Sequence, residues 1–108
     1  MTVQEYLRAN LPPGWENKLC SSGKAFFEDR KNLPPSELFA QVRSNIHHGR
    51  HIRLLALWIF GDRAREAMYD AQNRAQSRPW TWDTTQAWGA EFLSDLNEGC
   101  LQLLETLL

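Results

Sequence analysis

Leu11-Pro12-Pro13-Gly14-Trp15-Glu16, continued by Ser21-Ser22-Gly23-Lys24-Ala25-Phe26-Phe27-Glu28-Asp29, is the stretch on which the fold turns. The Pro12-Pro13-Gly14 run punctuates the chain, and Cys20-Ser21-Ser22-Gly23 has the composition of a tight turn. Residues 15–19 and 24–30 on either side of that turn read as the two arms of a β-hairpin. Lys18, Lys24 and Lys31, all the lysines of the protein, lie in or beside the arms, where they would keep exposed strand edges from pairing with other chains. A two-stranded hairpin is marginal by itself, so Phe26 and its neighbours are expected to pack against whatever follows.

The same residues resemble the first two strands of a WW domain, over about residues 11–32. The resemblance implies a structural face made by Leu11, Pro12, Trp15 and Phe27, closed by Pro34 or Pro35. It also implies an opposite, peptide-binding face, where this chain holds Phe26, Glu28 and Arg30. The family's second Trp and third strand are absent, because Leu33-Pro34-Pro35-Ser36-Glu37 reads as a helix start. A polyproline ligand is gripped between two aromatic walls. With one wall missing, the resemblance implies a retained scaffold and a lost groove.

Outward from this stretch the pattern is helical. Thr2-Val3-Gln4-Glu5 has capping-box spacing and opens a short helix over residues 1–9. Ser36 is the expected N-cap of a helix that carries Leu38, Val42 and Ile46 and ends near Gly49. Residues 52–60 are apolar on every side, as in the buried centre of a bundle. Gly61-Asp62 breaks or kinks the chain, and Ala64, Ala67, Met68, Ala71 and Ala75 then form a small-residue stripe suited to close helix approach. Ser77-Arg78-Pro79 stops that helix, Trp80-Thr81-Trp82 reads as an extended connector, and Asp83-Thr84-Thr85-Gln86 as a second capping box. The last helix shows a seam of Trp88, Phe92, Leu96, Cys100, Leu103 and Leu107, with Gly89 and Gly99 permitting tight contacts.

At 108 residues, 43% hydrophobic and 23% charged, the chain has the makings of one globular domain that needs neither disulfides nor metal. The N-terminus lacks a basic and then apolar leader, and the longest apolar run, residues 54–60, falls far short of the ~20 needed to span a bilayer. Two cysteines, Cys20 and Cys100, do not form a metal-type pair and are expected as free thiols in the cytoplasm. The net charge of −1 conceals a polarity. Residues 1–54 hold eight Lys/Arg against five Asp/Glu, whereas residues 55–108 hold four against eight. Such polarity favours internal docking, head-to-tail association, or contact with an anionic partner.

Chemistry-bearing motifs are sparse. No GxSxG, phosphate loop or HExxH occurs. Glu91, Asp95 and Glu98 have helical spacing but sit on a polar face. The densest polar segment is His47-His48-Gly49-Arg50-His51-Ile52-Arg53. His47 and His51 have the spacing of zinc ligands, but no third ligand is nearby. With Arg43, the segment reads either as a basic patch for phosphate or carboxylate groups or, the favoured reading, as a solvated helix end facing the acidic last helix. Trp80 and Trp82 would stack on a ligand if exposed and close the end of the bundle if buried.

The expectation is therefore a mainly α single domain over residues 1–108, with a WW-like hairpin at residues 11–33 packed on a three- to four-helix bundle at residues 36–108. Its expected function is non-enzymatic and cofactor-free: binding another protein by surface complementarity, with homodimerisation through residues 84–107 as one route. Small viral or phage accessory proteins that inhibit host factors are of this kind. The alternative is nucleic-acid binding through Arg43, His47, His48, Arg50, His51 and Arg53, with Trp80 or Trp82 stacking. Phe26 completes the set of candidate binding residues.

Overall fold

The computed structural model describes residues 1–76 and 85–108, with side chains through residue 74 and from residue 91. The described residues form six α-helices: α1 (Val3–Asn10), α2 (Ser21–Glu28), α3 (Pro35–Ser44), α4 (Gly49–Phe60), α5 (Asp62–Gln76) and α6 (Thr85–Glu105). Two 3₁₀ turns, Trp15–Lys18 and Ile46–His48, precede α2 and α4.

The mainly α expectation holds, and the hairpin does not. No strand occurs among the described residues, which overturns the WW resemblance. Pro12-Pro13-Gly14-Trp15 does make a turn: Gly14 takes φ 84°, ψ 7°, and the Trp15 N–H donates to the Pro12 carbonyl at 3.3 Å. That is type II geometry, which requires Gly at its third position. The Ser21-Ser22-Gly23 segment, however, is the first turn of a helix. The physical reason lies in Phe26 and Phe27, both buried at 6% and 4% exposure. Adjacent residues in a strand face opposite sides, whereas a helix places them within one apolar arc. Residues 14–32 also contain no Val, Ile or Thr, so they lack the β-branched side chains that favour a pleated strand.

The capping box on α1 is present, with the Glu5 N–H on Thr2 Oγ1 at 3.3 Å and the Thr2 N–H on Glu5 Oε1 at 3.1 Å. The next two N–H groups of α1 find carbonyls beyond α2, Val3 on Leu33 at 2.8 Å and Gln4 on Lys31 at 3.0 Å. Helix α1 is thereby fastened to the α2–α3 connection. Tyr6 reaches the other end of the chain, donating to the Leu104 carbonyl at 2.7 Å inside the core.

Helix α3 starts one residue before the expected cap, with Pro34 at N-cap and Pro35 at the first helical position. It ends at Ser44, because the Asn45 side chain accepts from the His47 N–H at 3.1 Å and starts a 3₁₀ turn. Gly49 therefore opens α4 instead of capping α3, with φ −70°. Its lack of a side chain serves packing: a Cβ there would collide with Asn97 of α6.

Helix α4 buries Ile52, Leu55 and Ala56 completely but leaves Leu54, Leu57, Trp58, Ile59 and Phe60 half-buried. It is not the enclosed central helix expected from its composition. The chain reverses at Gly61, φ 57°, and α5 packs along α6. Ala64 and Ala71 are fully buried, and Gly99 meets Ala67 so closely that a Cβ on it would lie 3.3 Å from the Ala67 Cβ. The small-residue stripe thus supports the close approach expected of it. Helix α6 is the hub, packing on α3, α4 and α5. Its buried face is Asn97, Cys100, Leu101 and Leu104. The expected seam contributes only Cys100 to that face, while Phe92, Leu96, Leu103 and Leu107 are half-buried. The side chain of Trp88 and the residues Trp80, Trp82 and Asp83 lie outside the described residues.

Candidate functional site

A groove of about 520 Å³ lies between α1, the Trp15 turn and α2. That volume falls in the range typical of ligand and anchor pockets, roughly 300–1,000 Å³. Helix α1 contributes Gln4, Leu7 and Arg8, one face at i, i+3 and i+4. Helix α2 contributes Lys24, Phe27 and Glu28 by the same spacing. The turn between them supplies Trp15 and Leu19.

The floor is apolar and closely packed. Trp15 and Phe27 meet edge to face with centroids 6.2 Å apart, and Phe27 meets Phe26 in the same way at 5.1 Å. Leu7, Trp15 and Phe27 expose 2%, 9% and 4% of their surface, so the floor is mostly closed by its own packing. The rim is ionic. Lys31 pairs with Glu28 at 2.6 Å, while Arg8, Glu16 and Lys24 make no ion pair among the described residues.

The residues singled out in the sequence divide into three groups. Arg43 and Arg53 are engaged with α6. Arg43 donates through Nε to Glu98 at 2.9 Å and also pairs with Glu105, which raises its pKa above the ordinary value. In return, the hydrogen bond from Arg43 holds the Glu98 carboxyl below its usual range. Arg53 donates to Asn97 Oδ1 at 2.5 Å, and burial lowers its pKa. Arg43 thus meets two carboxylates of the acidic last helix, as the favoured reading of segment 43–53 expects.

His48, His51 and Phe26 form the second group. His51 lies across the Phe26 ring at 5.1 Å, His48 meets it edge-on at 5.7 Å, and the Arg30 guanidinium stands 4.2 Å from its centroid. Phe26 is therefore an internal aromatic, as packing on the helices requires, and not an exposed anchor. The last group, His47 and Arg50, is exposed. Trp80 and Trp82 lie outside the described residues. Among the described residues no cluster of three or more His, Cys, Asp or Glu gathers as metal ligands would.

Cys20, also free and exposed, occupies the N-cap position of α2 with its Sγ 3.1 Å from Ser22 Oγ. That contact, followed by the Gly23 N–H, lowers the thiol pKa. Cys100 is buried, and burial raises its thiol pKa. Among the described residues no helix is long and apolar enough to cross a membrane.

Reading the sequence as a hairpin missed the groove, because its walls exist only if residues 21–28 are helical. The signal that could have found it is the i, i+4, i+7 spacing of Lys24, Glu28 and Lys31 with Phe27 between them. No family model, no curated protein and no solved structure matches the chain.

Proposed function

We propose that this chain is a non-enzymatic protein-interaction module whose groove between α1 and α2 receives an apolar side chain of a partner protein. The supporting observation is the floor of Leu7, Trp15 and Phe27 beneath a rim on which Arg8, Glu16 and Lys24 lack ion-pair partners among the described residues. A buried apolar anchor would supply the affinity, and the rim charges would set orientation and association rate. The mixed signs of the rim suit a protein segment better than a polyanion. The basic segment 43–53 offers a nucleic acid less than its composition suggests, since Arg43 and Arg53 are held by α6 and, of its other basic residues, only His47 and Arg50 stand exposed. An accessory or inhibitory role, in which the module covers a surface of a larger protein, accords with this reading.

Ala25 lines the groove and is exposed, so Ala25→Trp would fill the groove without touching the core. A displayed random heptapeptide library selected on the wild-type chain should enrich an apolar residue flanked by charge. The Trp15 indole N–H resonance, assigned with Trp15→Phe, should shift on titrating the selected peptide. Binding should vanish in Ala25→Trp while its melting temperature is retained. Equal binding by both chains, or no selection at all, would rule the groove out as the binding surface.

A further inference from the structure

Helix α2 shows two faces to two surroundings. Phe27 faces Trp15 and the groove, while Phe26 and Gly23 face His51 of α4. His51 touches both phenyl rings, Phe26 at 5.1 Å and Phe27 at 6.5 Å. It also comes so near the helix backbone that a Cβ on Gly23 would lie 3.3 Å from its Nδ1. The Nδ1 atoms of His48 and His51 are both buried and make no hydrogen bond.

This is a setting for a neutral imidazole. A protonated ring carries donors on both nitrogens, and the Nδ1 of His51 would point its new proton at Gly23 with no acceptor there. The charged and titratable groups acting on it are Arg50 and His48 from the α4 side and Arg30 from the end of α2, with no carboxylate among them. An imidazolium could draw on the face of Phe26, but Arg30 already occupies that ring at 4.2 Å, and two cations on one ring repel. Burial first, then Arg50, His48 and Arg30, hold the His51 pKa below its ordinary 6.5.

We infer that the His51–Phe26 contact is an acid-released latch: a proton on His51 loosens α2 from α4 and so moves one wall of the α1–α2 groove. The folded chain binds this proton less readily than the unfolded chain. The latch therefore contributes fully above the unfolded value of 6.5 and is lost as pH falls below it. Carboxylates titrate nearer pH 4, so the interval from pH 7.5 to pH 5.5 separates imidazoles from carboxylates, and His51→Phe identifies His51 among the three histidines. That the groove responds rests on the binding reading above; the loosening of α2 does not.

Thermal melts and amide exchange, corrected for intrinsic rates, would be compared at pH 7.5 and 5.5 for wild type, His51→Phe and Arg30→Gln. The wild type should lose several degrees in melting temperature, and its Ala25, Phe26 and Phe27 amides should lose protection. His51→Phe should hold both constant. Arg30→Gln, which removes a cation facing His51, should show a smaller loss, and it carries the test should His51→Phe fail to fold. Unchanged α2 protection in the wild type, or an equal loss in a folded His51→Phe, would overturn the latch. The selected peptide should bind several-fold more weakly at pH 5.5, with the Trp15 indole signal following the same transition. Unchanged peptide affinity with a loosened α2 would overturn the coupling to the groove. A chain that binds no peptide at pH 7.5 would overturn the groove reading, leaving amide protection to decide the latch.

Discussion

The buried side-chain amide of Asn97 occupies the volume that a side chain on Gly49 would need. A Cβ on Gly49 would meet the Oδ1, Cγ and Nδ2 atoms of Asn97, all well under 3.0 Å away. Asn97 cannot yield easily, because it accepts from Arg53 at 2.5 Å and donates to the Ile46 carbonyl at 3.1 Å. One amide thus ties α6 to the start of α4 and to the turn before it. Gly49→Ala should cost about 3 kcal/mol through overpacking. Asn97→Ala should cost about 2–3 kcal/mol by stranding a half-buried guanidinium and a carbonyl. In the double variant the Gly49→Ala increment should shrink below about 1 kcal/mol, since the obstruction is gone. Urea melts of the four chains measure this, and simple additivity would show that the two residues do not compete for space.

Gly61 has the opposite cause. Nothing lies within 4 Å of a Cβ built on it, yet its backbone sits at φ 57°, ψ −117°, a conformation that L side chains rarely adopt. Gly61→Ala should therefore cost about 1–3 kcal/mol in backbone strain alone. Because no neighbour is crowded, shortening side chains on α4 or α5 should recover none of that cost in denaturant melts.

Tyr6 should make the fold alkali-sensitive. Its hydroxyl is buried on the Leu104 carbonyl, and burial pushes its pKa up to about 12 from an ordinary 10. The unfolded chain thus releases this proton first. Stability conferred by the neutral phenol is complete below pH 10 and falls as pH rises from 10 toward 12. Tyr6→Phe should lose about 1–2 kcal/mol at neutral pH by leaving the carbonyl unpaired. Its melting temperature should then fall less than that of the wild type between pH 9.5 and 11.5. Parallel curves for the two chains would contradict the assignment.

Arg43 joins α3 to two carboxylates of α6 at the surface, where Arg43, Glu98 and Glu105 side chains remain 38%, 41% and 38% exposed. Solvent screening limits such a pair, so Arg43→Gln should cost no more than about 1 kcal/mol at low ionic strength. In 1 M salt the difference from wild type should largely vanish. The Glu98 carboxyl lies below its ordinary 4.5, so this contribution is present above that value and disappears as pH falls through the lowered one. A cost insensitive to both salt and acid would mean that Arg43 acts through its apolar stem instead.

Much of this architecture was legible from spacing. The Thr2–Glu5 box, the break at Gly61, the alanine stripe of α5 and the meeting of Arg43 with the acidic last helix all follow from periodicity, capping and charge. Even the Trp15–Phe27 contact, implied by a resemblance that the helices overturn, exists, since both residues are apolar and must find cover. What misled was local turn chemistry. Ser-Ser-Gly serves a hairpin loop and a helix start equally well, and the burial of both Phe26 and Phe27 is a tertiary fact. Gly49 misled for a similar reason, because its partner Asn97 is 48 positions away and no local pattern announces it. The groove, built from α1 and α2, was out of reach once α2 had been read as strand.

A substitution at Ala25 decides between those two readings by its sign. Ala25 is exposed near the middle of α2, with its side chain on the groove rim and no core contact to lose. In a helix, Thr loses rotamer freedom against the preceding turn, so Ala25→Thr should destabilise by up to about 0.7 kcal/mol, and Ala25→Gly by about 1 kcal/mol. In the second arm of a hairpin the order would invert, with Thr stabilising relative to Ala because a β-branched side chain suits a pleated surface. Denaturant melts of the two variants, with far-ultraviolet circular dichroism to confirm retained helix, make the comparison. Destabilisation by both places a helix at residues 21–28 and keeps the groove; a more stable Ala25→Thr chain would dissolve both.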